Sequence, residues 1–172
     1  ESLFFSIFIG LSNASTVLIG RALGGDKTDE AWQLYGFFIR LTMVLAAVLS
    51  VSLWFARPLV VGIFDELDVQ TATLLNNTLA IFCVLVWIKT MNMVRILGVL
   101  RAGGDNRFCL TTDTLVMWGL GVPLYAFTIF SLDVSFLVIF ALMFVEDTAK
   151  FLPVWVRIRF RRWMKNLTVA KA

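Results

Sequence analysis

Apolar positions run almost without interruption over five stretches, 3–22, 34–55, 74–100, 109–130 and 134–156, and most charged residues collect between them. A helix rises 1.5 Å per residue and needs about 20 mainly apolar residues to cross the hydrocarbon of a bilayer, so each stretch can span. Backbone groups in hydrocarbon must be satisfied within the segment, which predicts helices rather than strands. The pattern predicts an all-α, polytopic membrane helical bundle of five transmembrane helices, residues 1–156, followed by a basic tail, residues 157–172.

Composition agrees. Hydrophobic residues make up 59% of the chain and charged ones 16%, against the roughly 45–50% apolar share of soluble domains, and the mean hydropathy is +0.86. Arg21 and Lys27 follow the first stretch, and Arg101 and Arg107 the third. Arg157, Arg159, Arg161, Arg162, Lys165 and Lys171 follow the fifth. The second connection has Arg57 but is dominated by Asp65, Glu66 and Asp68, and the fourth holds Asp133. The bias of Lys and Arg toward the cytoplasmic side predicts cytoplasmic basic loops, a cytoplasmic C-terminus and an N-terminus outside. Glu1 leads into Leu3, Phe4 and Phe5 without the basic stretch of a signal peptide, so an outside start predicts further helices upstream. The basic tail beside a membrane run points to anionic lipid, worth about 1 kcal/mol per residue near the surface, and not to nucleic acid. Cys83 and Cys109 lie at apolar or span-end positions in a chain without histidine, which indicates packing rather than a metal site or a disulfide framework.

Two glycine-rich breaks punctuate the pattern, at 21–27 and 98–108, with nearly the same wording. Neither matches the phosphate-cradling Gly-x-x-x-x-Gly-Lys-Ser/Thr pattern, so both read as turns. In the first, Gly24 and Gly25 are expected to supply a left-handed helix end, and Asp26 or Thr28 to cap the next helix. Within the first span Ser6, Gly10 and Ala14 recur at intervals of four, a stripe that predicts close approach of a neighbouring helix, with Asn13 beside it. Gly119, Gly121 and Pro123 predict a kink in the fourth span, since Pro123 releases the carbonyl of Gly119. Trp32, Trp54, Trp155 and Trp163 are expected at the membrane boundaries as an aromatic belt, with Trp87 and Trp118 deeper.

Ionisable groups inside spans cost about 2.5–3.5 kcal/mol each on translocon scales and are functional candidates for that reason. They are Arg40, Lys89, Arg95, Asp113, Glu146, Asp147 and Lys150. Lys89 lies eleven residues before Leu100, roughly 16 Å from the cytoplasmic end, and Glu146 and Asp147 are also near the middle. Arg40, Arg95 and Asp113 are shallower and read as structural groups that snorkel or meet headgroups. Glu146 and Lys150 form an i, i+4 pair in the favoured order, which leaves Asp147 to be balanced by Lys89. Lys89, Asn92 and Ile96 share a face, predicting a polar seam between the third and fifth spans. In a chain without histidine a proton relay would use carboxylates, so Glu146 and Asp147 are candidate coupling or gating acids with Lys89 and Lys150 as counter-charges; a charge cluster that only fixes helix register is the alternative. Asn13, Asn92 and Trp118 are candidate lining residues of a substrate cavity. No nucleophile stands with a base and no metal-ligand spacing is present, which gives an enzyme no support.

The breaks, with Val17 to Asp26 and Leu97 to Phe108, followed by Trp118-Gly119-Leu120-Gly121-Val122-Pro123-Leu124, resemble the cytoplasmic loops of multidrug and toxic compound extrusion (MATE) transporters. Glu146-Asp147-x-x-Lys150 and the tail from Arg161 to Leu167 are similar to those of a bacterial branch. The resemblance implies helices eight to twelve of a two-lobe, twelve-helix fold, lacking the N-terminal lobe and the first helix of the second. It implies export of cationic, amphipathic compounds across a bacterial inner membrane in exchange for H+ or Na+, with no other cofactor, by rocking of two lobes. The acid expected in helix ten in some branches is absent from 74–100, which holds Lys89 instead. A lipid-linked sugar flippase, a non-transporting partner half and a truncated remnant remain open alternatives.

Overall fold

The computed structural model describes residues 2–64, 68–132 and 134–166; Asp65, Glu66, Asp133, Leu167 and Lys171 lie outside the described residues. Five helical rods follow one another: α1 (Ser2–Gly24), α2 (Thr28–Gly62), α3 (Val69–Leu100), α4 (Asn106–Ser131) and α5 (Phe136–Arg159). There is no strand among the described residues. The first four are long and apolar enough to cross a membrane. The fifth has 24 residues but carries Glu146, Asp147 and Lys150 mid-length, so its charges need partners inside the bundle.

The observed α2 is longer than the apolar run that predicts it, 35 residues instead of 34–55, because it passes through Pro58. A proline there cannot donate to the carbonyl of Trp54. The adjacent Arg57 Nε does so instead at 3.1 Å, while its guanidinium lies 3.7 Å from the Trp54 ring centroid. One side chain thus satisfies the orphaned acceptor, and the helix continues to Gly62.

Two rods contain wide π-helical turns. In α4 the turn covers Met117–Gly121 and ends just before Pro123, where the missing proline N–H makes such a turn least costly. In α3 it covers Val94–Leu100 and includes no proline. Against it the Thr16 hydroxyl of α1 sits 3.0 and 3.1 Å from the carbonyl oxygens of Leu97 and Gly98, and 2.9 Å from the Ser12 carbonyl on its own helix. At the same place a Cβ on Gly98 would overlap Ser15 Oγ and lie 3.2 Å from the Ser12 carbonyl oxygen.

This is where α1 makes its close approach, and it corrects the expected stripe. Phe8, Ser12, Ser15 and Ile19 are the buried face of α1, while Ser6, Gly10 and Ala14 are exposed and a Cβ on Gly10 would meet nothing. Ser12 and Ser15 hide their hydroxyls by donating to the Phe8 and Ser12 carbonyls, at 2.7 and 2.8 Å, so they act as small residues at the contact.

The core is concentrated at the end that holds the basic loops, where Ile19, Leu23, Phe38, Val94, Val99, Leu100, Val154 and Ile158 interlock. Trp163 belongs to this core. It is fully buried, its ring 6.4 Å from that of Tyr35, where a boundary position was expected. Trp32, Trp54 and Trp155 keep partly or well exposed positions. Cys83 and Cys109 are buried free thiols within the packing.

Both glycine-rich breaks close as the same cap, shifted by one residue. In the second, Gly104 takes φ 73°, with Gly104 N–H donating to Arg101 and Asp105 N–H to Leu100. In the first, Asp26 takes φ 58°, with Asp26 N–H donating to Leu23 and Lys27 N–H to Ala22. These are Schellman pairings, but the expected glycines of the first break do not hold the left-handed position. Asp tolerates that conformation better than most residues, and here Asn166 Nδ2 donates to its carboxylate at 2.6 Å. Neither Asp26 nor Thr28 caps α2 with its side chain: the residue before the helix is Lys27, which has no side-chain cap bond.

Candidate functional site

The mid-span charges gather around α5. Lys150 Nζ lies 2.6 Å from Glu146 Oε1 on its own helix and 3.2 Å from Asp113 Oδ1 on α4. The pair expected from spacing alone is therefore a triad, closed by a residue that depth counting along its own span had read as peripheral. The lysine side chain is 12% exposed and the Glu146 side chain 20%, so both charges are largely removed from solvent. A Cβ at Gly121, the end of the wide turn in α4, would stand 3.1 Å from Glu146 Oε2. Glycine there lets α4 press against the carboxylate.

Asp147 points the other way. Asn92, 2% exposed on α3, donates from Nδ2 to the Asp147 backbone carbonyl at 2.5 Å. Lys89 and Asp147 line one small cavity of about 20 Å³ with Phe82, Phe140, Met143 and Phe144. No Lys89–Asp147 ion pair closes; Lys89 Nζ stands 5.1 Å from the Phe5 ring centroid instead. The polar seam between α3 and α5 exists, and Ile96 is buried on the same helix. Asn13 is exposed on α1, and Trp118 is 62% exposed on α4, so neither converges with the buried Asn92.

Around α5 there are thus three carboxylates, Asp113, Glu146 and Asp147, and two lysines, Lys89 and Lys150. Arg95, buried on α3 with its guanidinium on Phe151 of α5, is a third cation beside this set, so with every group ionised the charges balance. Tyr125 is a further titratable side chain beside this set, and the Gly121 contact places it next to Glu146.

A second cluster ties the tail to the loops. Arg157 grips Asp105 with two bonds, Nε to Oδ2 at 2.5 Å and Nη2 to Oδ1 at 2.9 Å, and Lys165 Nζ lies 3.7 Å from the same carboxylate. Asp105 is 5% exposed, and the Arg157 guanidinium holds its carboxyl below the usual carboxylate range. Asn166 takes Asp26, as described, so each glycine-rich break offers an aspartate to the tail. A Cβ at Gly103 would overlap the Trp163 carbonyl oxygen, which makes that glycine a condition for docking. The sequence reading assigned the tail's cations to lipid; two of them are spent on Asp105.

The missed member of the α5 triad had a signal. Asp113 lies seven residues into α4 and Lys150 nine residues before the end of α5. Both ends lie on the basic-loop side, so at 1.5 Å per residue the two are roughly 10 and 13 Å deep and level with each other.

Comparison with known proteins identifies this framework. The family model MatE matches residues 1–127. The chain belongs to the MatE family. It is 28% identical over 176 residues to the uncharacterized transporter YisQ of Bacillus subtilis, covering 99% of this chain and 36% of that protein. It is 29% identical over 124 residues to the probable multidrug resistance protein NorM of Bacillus anthracis, covering 72% of this chain and 27% of that protein. The chain thus spans about a third of the length of these relatives. No solved structure matches it. The MatE match and the apolar helices make this an integral membrane protein of a transporter family.

Proposed function

We propose that the chain is the C-terminal part of a secondary active multidrug exporter that exchanges amphipathic cationic compounds for H+ or Na+ by alternating access. Family membership and the name of the NorM relatives support the transport class. The observation that carries the coupling reading is the adjacent carboxylate pair of α5: Glu146 shares Lys150 with Asp113, while Asp147 lines a small cavity with Lys89 without closing an ion pair. In this reading the coupling cation loads at Glu146 or Asp147. When Glu146 is protonated, Lys150 is left to Asp113, and the contact across Gly121 relaxes. The wide turn of α4 before Pro123 is where such a change bends the helix, since wide turns and prolines are the common sites of helix kinks. Asn13 and Trp118, exposed on α1 and α4, are then available to a cavity shared with a first lobe. The basic loops and C-terminus face the cytoplasm of a bacterial cell in this reading.

The test is proton-driven dye efflux by the full-length exporter carrying Glu146→Gln, Asp147→Asn and Asp113→Asn singly. Loss of coupled efflux of tenfold or more is expected for one of the first two, with normal membrane insertion. Wild-type efflux from both would remove them from the mechanism. Loss only with Asp113→Asn would move the coupling role to α4.

A further inference from the structure

We propose that the groove between α2 and α5 beside the tail binds the phosphate headgroup of an anionic membrane lipid, which narrows a general attraction of the basic tail for lipid to one built site. The groove is lined by Trp32, Tyr35, Trp155, Ile158 and Arg159 and encloses about 390 Å³. Arg159 is exposed at the last turn of α5 and makes no ion pair among the described residues. The Arg161 guanidinium lies 4.6 Å from the Trp32 ring centroid, and its only acidic neighbour among the described residues is Asp29, 3.9 Å away and 91% exposed.

Behind the groove, and not among its lining residues, lies a further arginine. Arg95, on α3, is 6% exposed, and its Nε and Nη1 donors are buried with no hydrogen-bond partner. The guanidinium stacks on Phe151 at 4.5 Å, one turn of α5 before Trp155, and the Tyr35 hydroxyl lies beside it. Buried donors left unmade are costly and call for a ligand or water. Those two donors have no exposed surface, so Arg95 adds positive charge behind the groove and no direct contact with its occupant. An anionic phosphate suits Arg159 and the neighbouring Arg161, because a guanidinium fork matches phosphate oxygens and the acid beside Arg161 is the exposed, weakly placed Asp29. The place also favours a lipid over a free ion. Trp32, Tyr35 and Trp155 give apolar bodies with polar edges, as at membrane boundaries, and Leu152 and Val156 are exposed on the adjoining surface of α5, where acyl chains would lie.

The inference rests on the membrane placement of the helices and not on the coupling reading. It is tested by native mass spectrometry of the chain released from micelles containing equal phosphatidylglycerol and phosphatidylcholine. Several-fold preferential retention of phosphatidylglycerol is expected. Arg159→Gln, an exposed change that spares the core, should reduce that retention to the phosphatidylcholine level. Arg162→Gln, whose guanidinium stacks on Phe160 at 5.9 Å and does not line the groove, should not. No lipid preference, or equal losses in the two variants, would overturn the site in favour of diffuse attraction. Inorganic phosphate displacing the lipid at millimolar concentration and forming its own adduct would reassign the groove to a free anion. As a second readout, phosphatidylglycerol with brominated chains should quench tryptophan emission in the wild type and less in Trp155→Phe; equal quenching would count against the groove.

Discussion

At Gly98 and Gly103 the backbone meets another segment so closely that a Cβ would overlap Ser15 Oγ in one case and the Trp163 carbonyl oxygen in the other. Alanine at either position must therefore move a helix or lift the tail. Gly98→Ala is expected to cost about 1–3 kcal/mol, the range for overpacking a tight contact, measured as a lower melting temperature in detergent. Gly103→Ala should release Trp163, read as a red-shifted, acrylamide-accessible emission, while the contact of α1 with α3 stays intact. Asp105 gives a pH prediction. Its folded-state pKa lies below the ordinary 3.8, chiefly through the bonds from Arg157. A lowered carboxylate pKa contributes stability that is present above the unfolded value and lost as pH falls through the folded one. Asp105→Asn should thus destabilise by about 2 kcal/mol, the scale of a charge-assisted bond, by the same amount from pH 8 down to pH 5, and the difference should vanish on acidification below 3.8.

Among the elements, α2 and α3 show how polar side chains sustain helices that propensity alone would interrupt. Arg57 donates to the carbonyl that Pro58 leaves free, and Thr16 meets the carbonyls of the wide turn in α3. Arg57→Gln should weaken the end of α2 and speed hydrogen exchange at residues 59–62 by roughly the factor of five to ten that about 1 kcal/mol of lost bonding implies. Pro58→Ala in the Arg57→Gln background should restore slow exchange, because the helix regains its own donor. The five spans themselves were legible from hydropathy, since lipid leaves the backbone no other partner. The end of α2 was not, because whether a proline stops a helix depends on a neighbour that can take the carbonyl. Of the two wide turns, the one before Pro123 had a local signal and the one at Val94–Leu100, which packs against Thr16 of α1, had none.

For the whole molecule, the unit of interest is the tail docked across two loops at the basic end. Arg157 on Asp105, Asn166 on Asp26 and Trp163 against Gly103 join α1, α3 and α5 at one level. Trp163→Ala removes a fully buried indole and is expected to cost about 3–5 kcal/mol. Limited proteolysis should then cut the chain after residue 157 well below the temperature at which the bundle unfolds.

The sequence by itself determined that the chain is a membrane bundle of five helices, though α2 begins six residues before and ends seven after its apolar run, and which loops carry the family's wording. These follow from local rules, the length of apolar runs and the cost of unpaired backbone in hydrocarbon. It also named Glu146, Lys150, Asn92 and Asp147, because spacing on a helix sets which groups share a face. Tertiary structure alone decided that Lys150 also serves Asp113, that α1 packs through Ser12 and Ser15 and not through Ser6, Gly10 and Ala14, and that Trp163 is core. Each depends on which helices become neighbours, and distance along the chain does not encode that: Trp163 reaches Gly103 across about a third of the sequence and Asn166 reaches Asp26 across most of it.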